Sequence, residues 1–156
     1  MRHDRDLFIE RQIDAPPARV WEAWSQPEHL AQWWIPKPLE CDVVALDLRP
    51  GGGFVTRMRE AGGAFQPHLD ACFLDVDPGR GLVFTTCLTE GWRPADPWLA
   101  LTAEIALHDR DGGTLYTARV MHQDAAGASK HLEMGFKDGW GTVIDQLADH
   151  LAGGQT

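Results

Sequence analysis

The stretch 136–151 reads FKDGWGTVIDQLADHL, and it decides the fold. Its large apolar residues recur at the spacing of an α-helix and form one continuous stripe: Phe136, Trp140, Val143, Ile144, Leu147 and Leu151. A helix with such a stripe buries one face against another element. Gly135, Gly139 and Gly141 each cost roughly 1 kcal/mol of helix propensity relative to alanine. They predict either close packing against a strand or a softened first half of the helix.

Upstream of this helix, apolar and polar residues alternate as they do in β-strands. Seven strands are predicted, at residues 6–14, 41–48, 54–59, 68–76, 82–88, 98–107 and 114–122. The links between strands from residue 41 onward are short, so we expect an antiparallel sheet. Proline-led segments at 17–24 and 27–34 predict two short helices after the first strand. The sequence therefore predicts an α+β domain spanning residues 1–156, with a curved sheet around a long C-terminal helix.

One amphipathic helix cannot fill the concave side of a seven-stranded sheet. The space that it leaves must be either an open cavity or a region occupied by large side chains. Seven tryptophans, each able to bury on the order of 150–250 Å², suit either outcome. Thr86 and His122 are predicted to be polar anchors among apolar walls. The predicted ligand-binding residues are Trp34, Phe54, Met58, Phe73, Phe84, Thr86, Leu101, Val120, His122, Phe136 and Trp140.

The composition of the chain argues against several classes of partner. The chain has a net charge of −9 and lacks the basic surface that nucleic-acid binding requires. The same negative charge disfavours association with anionic membranes. No apolar run of about 18 residues exists to span a bilayer. The N-terminus lacks the apolar stretch of a signal peptide. The three cysteines have no CxxC spacing, so we expect them to be reduced thiols. A cytoplasmic location is therefore expected. Trp92 or Trp98, if exposed, would serve a homodimer or a pocket lid.

No catalytic or metal-binding constellation is evident in the sequence. The histidines form no HxH, HxxxH or HExxH pair, so neither metal nor cofactor is expected. A metal site assembled in space from His68, His122 and His131 remains a minor alternative. No serine lies in a GxSxG context, and the glycines at 51–53 precede a strand rather than a helix, which predicts a hairpin. Catalytic residues therefore stay unassigned, and whether the protein is an enzyme stays open.

Several stretches together resemble the activator of heat-shock-protein-90 ATPase-like family of the START-like (SRPBCC, helix-grip) superfamily. The resemblance covers residues 6–151 and rests on VWEAW at 20–24, PEHLAQWWIP at 27–36, DLRPGGGF at 47–54, DP at 77–78, LVFT at 82–85, GT at 113–114 and GW at 139–140. It implies a deep pocket between sheet and C-terminal helix, with Trp34, Phe54, Phe84 and Trp140 at pattern positions. The chain departs from the family at 66–70, which would alter the pocket entrance.

Three functions follow from these observations. The first is binding of a small hydrophobic or aromatic molecule, in a stress-related role. The second is a cyclase or aromatase-like reaction in the same cavity, with His122 and either Asp70 or Glu104 as acid–base groups. The third is interaction with a chaperone. The second requires a carboxylate within hydrogen-bond reach of a histidine inside the pocket.

Overall fold

The computed structural model describes residues 4–153. Its helices and strands follow the predicted order, with two short strands and one helix in addition. In chain order they are β1 (Asp6–Ile13), α1 (Pro17–Ser25), α2 (Pro27–Trp33), β2 (Glu40–Leu46), β3 (Gly53–Arg59), β4 (Gln66–Asp77), β5 (Gly81–Thr85), β6 (Leu88–Thr89), β7 (Arg93–Pro94), β8 (Leu101–Arg110), β9 (Gly113–His122), α3 (Ala125–Glu133) and α4 (Phe136–Gly153).

Seven of these strands form one antiparallel sheet in the order β1-β9-β8-β5-β4-β3-β2. β6 and β7 form a separate two-stranded hairpin between β5 and β8. α4 packs against α1, α2 and β1. This arrangement confirms the predicted α+β, helix-grip fold. Within the described residues, none of the four helices has the length and apolar character that a membrane crossing requires.

An aromatic cluster fills the part of the core under α1 and α2. The Trp24 ring lies 5.3 Å from that of Trp33, and both side chains are fully buried. Phe54 on β3 stacks on Phe73 of β4 at 5.2 Å between ring centroids and meets Phe84 of β5 edge-on. Edge-to-face and offset stacked pairs at these separations add stabilisation beyond the buried area. The cluster fixes the helices α1 and α2 on this end of the sheet.

The helical region after β9 is divided into two helices, where one continuous helix was expected. Asp124 caps α3, because its side chain accepts a hydrogen bond from the Gly127 amide at 2.7 Å. Gly135 has a φ of +96°, a left-handed conformation that glycine adopts without a steric penalty. This residue ends α3 and lets α4 start along a new direction.

The two glycines in the first half of α4 have different surroundings. A Cβ on Gly141 would lie 3.0 Å from Arg11 Nη2 and 3.7 Å from Ile9 Cδ1, so this residue permits close packing against β1. A Cβ on Gly139 would meet no atom within 4 Å. Close packing therefore explains Gly141 and does not explain Gly139, which borders open space.

Candidate ligand cavity

An open cavity of about 310 Å³ lies between the sheet and α4. β4, β5 and β8 supply one wall, the end of α2 and the segment after it supply a second, and α3, α4 and their junction supply the third. The lining is mostly apolar and consists of Trp34, Pro36, His68, Leu69, Phe84, Thr86, Trp98, Leu99, Leu101, His131, Met134, Gly135, Phe136, Gly139, Trp140 and Val143. The volume is at the lower end of the range for small-ligand pockets, roughly 300–1,000 Å³.

The aromatic walls are held rigidly by their neighbours. Trp34 meets Phe84 at 6.2 Å between ring centroids and is tied to the core cluster through Trp24. Across the cavity, Phe136 and Trp140 lie one helical turn apart on α4 with their rings 5.5 Å apart. The mouth is different, because Trp98 is 70% exposed and Met134 is 50% exposed there. The cavity therefore has a fixed aromatic interior and an exposed apolar rim.

The residues predicted to bind ligand divide into two groups in the structure. Those that line the cavity are Trp34, Phe84, Thr86, Leu101, Phe136 and Trp140. Those that lie elsewhere are Phe54, Phe73, Val120, Met58 and His122. Phe54, Phe73 and Val120 are fully buried in the core, Met58 is half-buried on β3, and His122 lies beside His131 at the end of β9.

The hydroxyl of Thr86 is engaged by the protein itself. It donates to the Leu99 carbonyl at 2.9 Å and accepts from the Leu101 amide at 3.0 Å. These bonds join the end of β5 to the start of β8. Thr86 therefore braces the cavity wall and has little capacity left for a ligand.

Two histidines take the polar positions in the lining. On the helix side, His131 Nδ1 lies 2.8 Å from His122 Nε2, and His122 Nδ1 lies 3.0 Å from the Arg5 carbonyl oxygen. On the sheet side, His68 Nδ1 lies 2.8 Å from Thr56 Oγ1, a fully buried hydroxyl. Both lining histidines thus have one ring nitrogen fixed by the protein, and the other is without a partner among the described residues.

Burial keeps both lining histidines neutral. It lowers the pKa of His131 to about 4, with the neighbouring His122 charge adding to the effect. Burial alone lowers the pKa of His68. Both imidazoles are therefore uncharged near pH 7, as a mostly apolar cavity requires.

Trp34 contains an unpaired indole N–H. Its Nε1–H is the sole fully buried side-chain donor or acceptor in residues 4–153 that makes no hydrogen bond. Burying such a group unpaired costs about 1–3 kcal/mol. Nε1 itself has no accessible surface, so Trp34 lines the cavity through other atoms of its ring.

The acid–base pair predicted for a cyclase-like reaction, His122 with Asp70 or Glu104, is not formed among the described residues. Asp70 and Glu104 are exposed, and Glu104 faces Arg119 across the sheet surface. The cavity lining contains no carboxylate, and His122 pairs with His131 instead. Likewise, no group of three metal-ligating side chains occurs in the part of the chain that the structure describes.

Known proteins resemble this chain in sequence and in fold. Residues 14–152 match the family model described as activator of Hsp90 ATPase homolog 1-like protein. The chain belongs to this family. No curated protein matches it.

Solved structures of similar proteins cover nearly the whole chain. A crystal structure of a Nitrosomonas europaea protein is 39% identical, covers 97% of each chain and superposes with a TM-score of 0.86. A protein of Mycobacterium smegmatis is 25% identical, with 98% and 94% of the two chains covered and a TM-score of 0.79. DynU16, a putative protein in the dynemicin biosynthetic locus, shares the fold at 21% identity and a TM-score of 0.67, with 97% of this chain and 49% of that one covered.

Sequence reasoning named His68 and His131 only as members of a metal site, and it missed their position in the lining. His131 lies on α3, and the apolar stripe of α4 gave no indication that α3 is a separate helix. His68 follows Pro67 at the start of β4. The alternation of residues predicted that His68 lies in a strand, but it did not indicate that a cavity lies beside that strand.

Proposed function

We propose that this chain binds a small, mostly apolar and aromatic molecule in the cavity between the sheet and α4. The observation that carries the proposal is the open volume of about 310 Å³ enclosed by aromatic and aliphatic side chains. Burying apolar ligand surface there contributes about 25 cal/mol per Å². A molecule of one or two rings suits the size, and the exposed rim of Trp98 and Met134 gives it a route of entry.

The other functions have less support from the lining. A cyclase-like reaction would need an acid–base group of suitable pKa, and His131 is a weak base at a pKa of about 4. The name of the family makes chaperone interaction a testable alternative, which a pull-down with Hsp90 and an ATPase assay would address. Chaperone interaction does not account for an apolar cavity lined by two histidines.

Substitution Gly139→Leu tests the proposal, because Gly139 lines the cavity and its Cβ would enter open space. The leucine side chain should occupy the cavity and weaken binding at least tenfold without lowering Tm, since leucine also favours the helix by about 1 kcal/mol over glycine. The matched control is Gly153→Leu at the far end of α4, where a Cβ is also unobstructed.

Binding is measured by titrating naphthalene and biphenyl in a calorimeter, because naphthalene absorbs and emits in the same range as the seven tryptophans. Native mass spectrometry of protein purified from cells adds a search for a bound molecule. The proposal fails if no apolar compound binds the wild type, or if Gly139→Leu binds as tightly as Gly153→Leu.

A further inference from the structure

The hydrogen-bond chain behind His131 determines which of its nitrogens carries the proton. The Arg5 carbonyl can only accept, so the His122 Nδ1 that faces it at 3.0 Å must carry a hydrogen. At a pH where the His122 ring carries one proton, that proton is on Nδ1, so Nε2 accepts and His131 Nδ1, 2.8 Å away, must donate to it. His131 Nε2 is left with a free lone pair. The helix side of the cavity therefore offers a hydrogen-bond acceptor.

The partner of His68 determines the opposite tautomer on the sheet side. Thr56 is fully buried, and its side chain makes no hydrogen bond in the described residues other than the one to His68 Nδ1. If His68 Nδ1 carried the hydrogen, the Thr56 hydroxyl proton would be buried without an acceptor, at a cost in stability. The hydroxyl therefore donates to Nδ1, and His68 Nε2 carries the hydrogen. The sheet side of the cavity offers a donor.

Neither free nitrogen is sealed inside the protein. In residues 4–153, Trp34 Nε1 is the one fully buried side-chain nitrogen or oxygen without a partner, so His68 Nε2 and His131 Nε2 are accessible. Both residues line the cavity. An acceptor and a donor are thus presented from opposite walls of one apolar space.

We propose that the ligand is an aromatic molecule with two polar ends of opposite sense: a hydroxyl that donates to His131 Nε2 and a carbonyl that accepts from His68 Nε2–H. This proposal rests on the proposed function and narrows it to one chemical class, the hydroxylated aromatic carbonyl compounds. His122 is the positioning residue, because it acts on the ligand only through His131.

Nuclear magnetic resonance tests the two tautomers directly in the intact protein. In long-range proton–nitrogen spectra of histidine-labelled protein, neutral His131 should show a protonated Nδ1 and neutral His68 a protonated Nε2. The variants His131→Phe and His68→Phe assign the signals by their loss. The reverse tautomer at either residue overturns the proposal, whatever ligand binds.

A matched series of ligands tests the same inference through affinity. Naphthalene, naphthol, acetylnaphthalene and acetylnaphthol share one ring system and differ in their donor and acceptor groups. In the wild type we expect naphthol and acetylnaphthalene each to bind about threefold to tenfold more tightly than naphthalene, as one net hydrogen bond allows, and acetylnaphthol most tightly.

The variants assign each gain to one histidine. His131→Phe should remove the gain from the hydroxyl alone, and His68→Phe the gain from the acetyl group alone, with the exposed His108→Phe as the unaffected control. Equal binding of naphthalene and acetylnaphthol by the wild type overturns this inference and leaves the proposed function intact. Failure of all four compounds overturns both. The wild-type series decides the question even where a variant does not fold.

Discussion

Lowering the pH from 7 to 5 should destabilise the protein through His131, and the substitution His131→Asn should remove that part of the effect. The pKa of His131 is about 4 in the folded protein, against an ordinary value of 6.5. The unfolded chain therefore binds this proton more readily than the native state. The contribution of His131 to stability is largest above pH 6.5, falls as the pH drops toward 4, and changes no further below that.

The size of the effect follows from the two pKa values. At pH 5 the unfolded imidazole is almost fully protonated while the folded one is mostly neutral, so the free energy of unfolding falls by about 2 kcal/mol relative to pH 7. With a urea dependence of roughly 2 kcal/mol per M, the unfolding midpoint should fall by about 1 M. His68 and His150 also have lowered pKa values and act in the same direction. The contribution of His131 is therefore the difference between the stability that the wild type loses and the stability that His131→Asn loses.

Urea denaturation of the wild type and of His131→Asn at pH 7, 6 and 5 measures that difference. Asparagine is chosen because its amide N–H can donate to His122 as His131 Nδ1–H does, while it does not titrate. A control, His108→Asn, alters an exposed histidine and should retain the full pH dependence. If the wild type and His131→Asn lose the same stability between pH 7 and 5, the burial of a neutral His131 is refuted.

Three further predictions concern the scaffold. Gly52→Ala should destabilise the protein by more than about 2 kcal/mol, because a Cβ would overlap the Asp47 carbonyl oxygen; urea denaturation measures the loss, and unchanged stability would contradict the hairpin geometry. Tyr116→Phe leaves the buried Trp24 Nε1–H without its 3.0 Å acceptor and should cost about 1–3 kcal/mol, a decrease in Tm of about 3–9 °C by calorimetry; no decrease would show that Trp24 finds another partner. Cys87 is the exposed thiol and should react with a thiol reagent before the other two cysteines, so a Cys87→Ser variant that reacts as fast as the wild type would refute this.

The sheet and its partner helix could be predicted because their signals are periodic. The alternation in β8 and β9 predicted strands, and the stripe in α4 correctly located the buried face of that helix. Boundaries were less predictable: β8 begins at Leu101 rather than 98 and continues to Arg110. Asp111 and Gly112, both at positive φ, make a tight two-residue turn that lets the paired strands extend beyond the predicted ends.

The site was less predictable than the fold because lining and core use the same residue types. Phe54 and Phe84 alternate in their strands in the same way, yet Phe84 borders the cavity and Phe54 is covered by Trp34. Only the placement of the helices decides between the two. The hydrogen-bond roles of His68 and His131 depend on Thr56 and His122, partners whose proximity no sequence spacing reveals.

The strand order sets a constraint on how the chain acquires its structure. β1 pairs with β9, so Asp6 finds its partner Met121 only after more than a hundred residues have been made. Until then the inward side of β1, including the fully covered Ile13, has no sheet to join. Pairings of such long sequence separation slow folding, because loop-closure entropy must be overcome before they form. In a nascent chain, β1 therefore stays without its partner in the sheet until β9 has emerged from the ribosome.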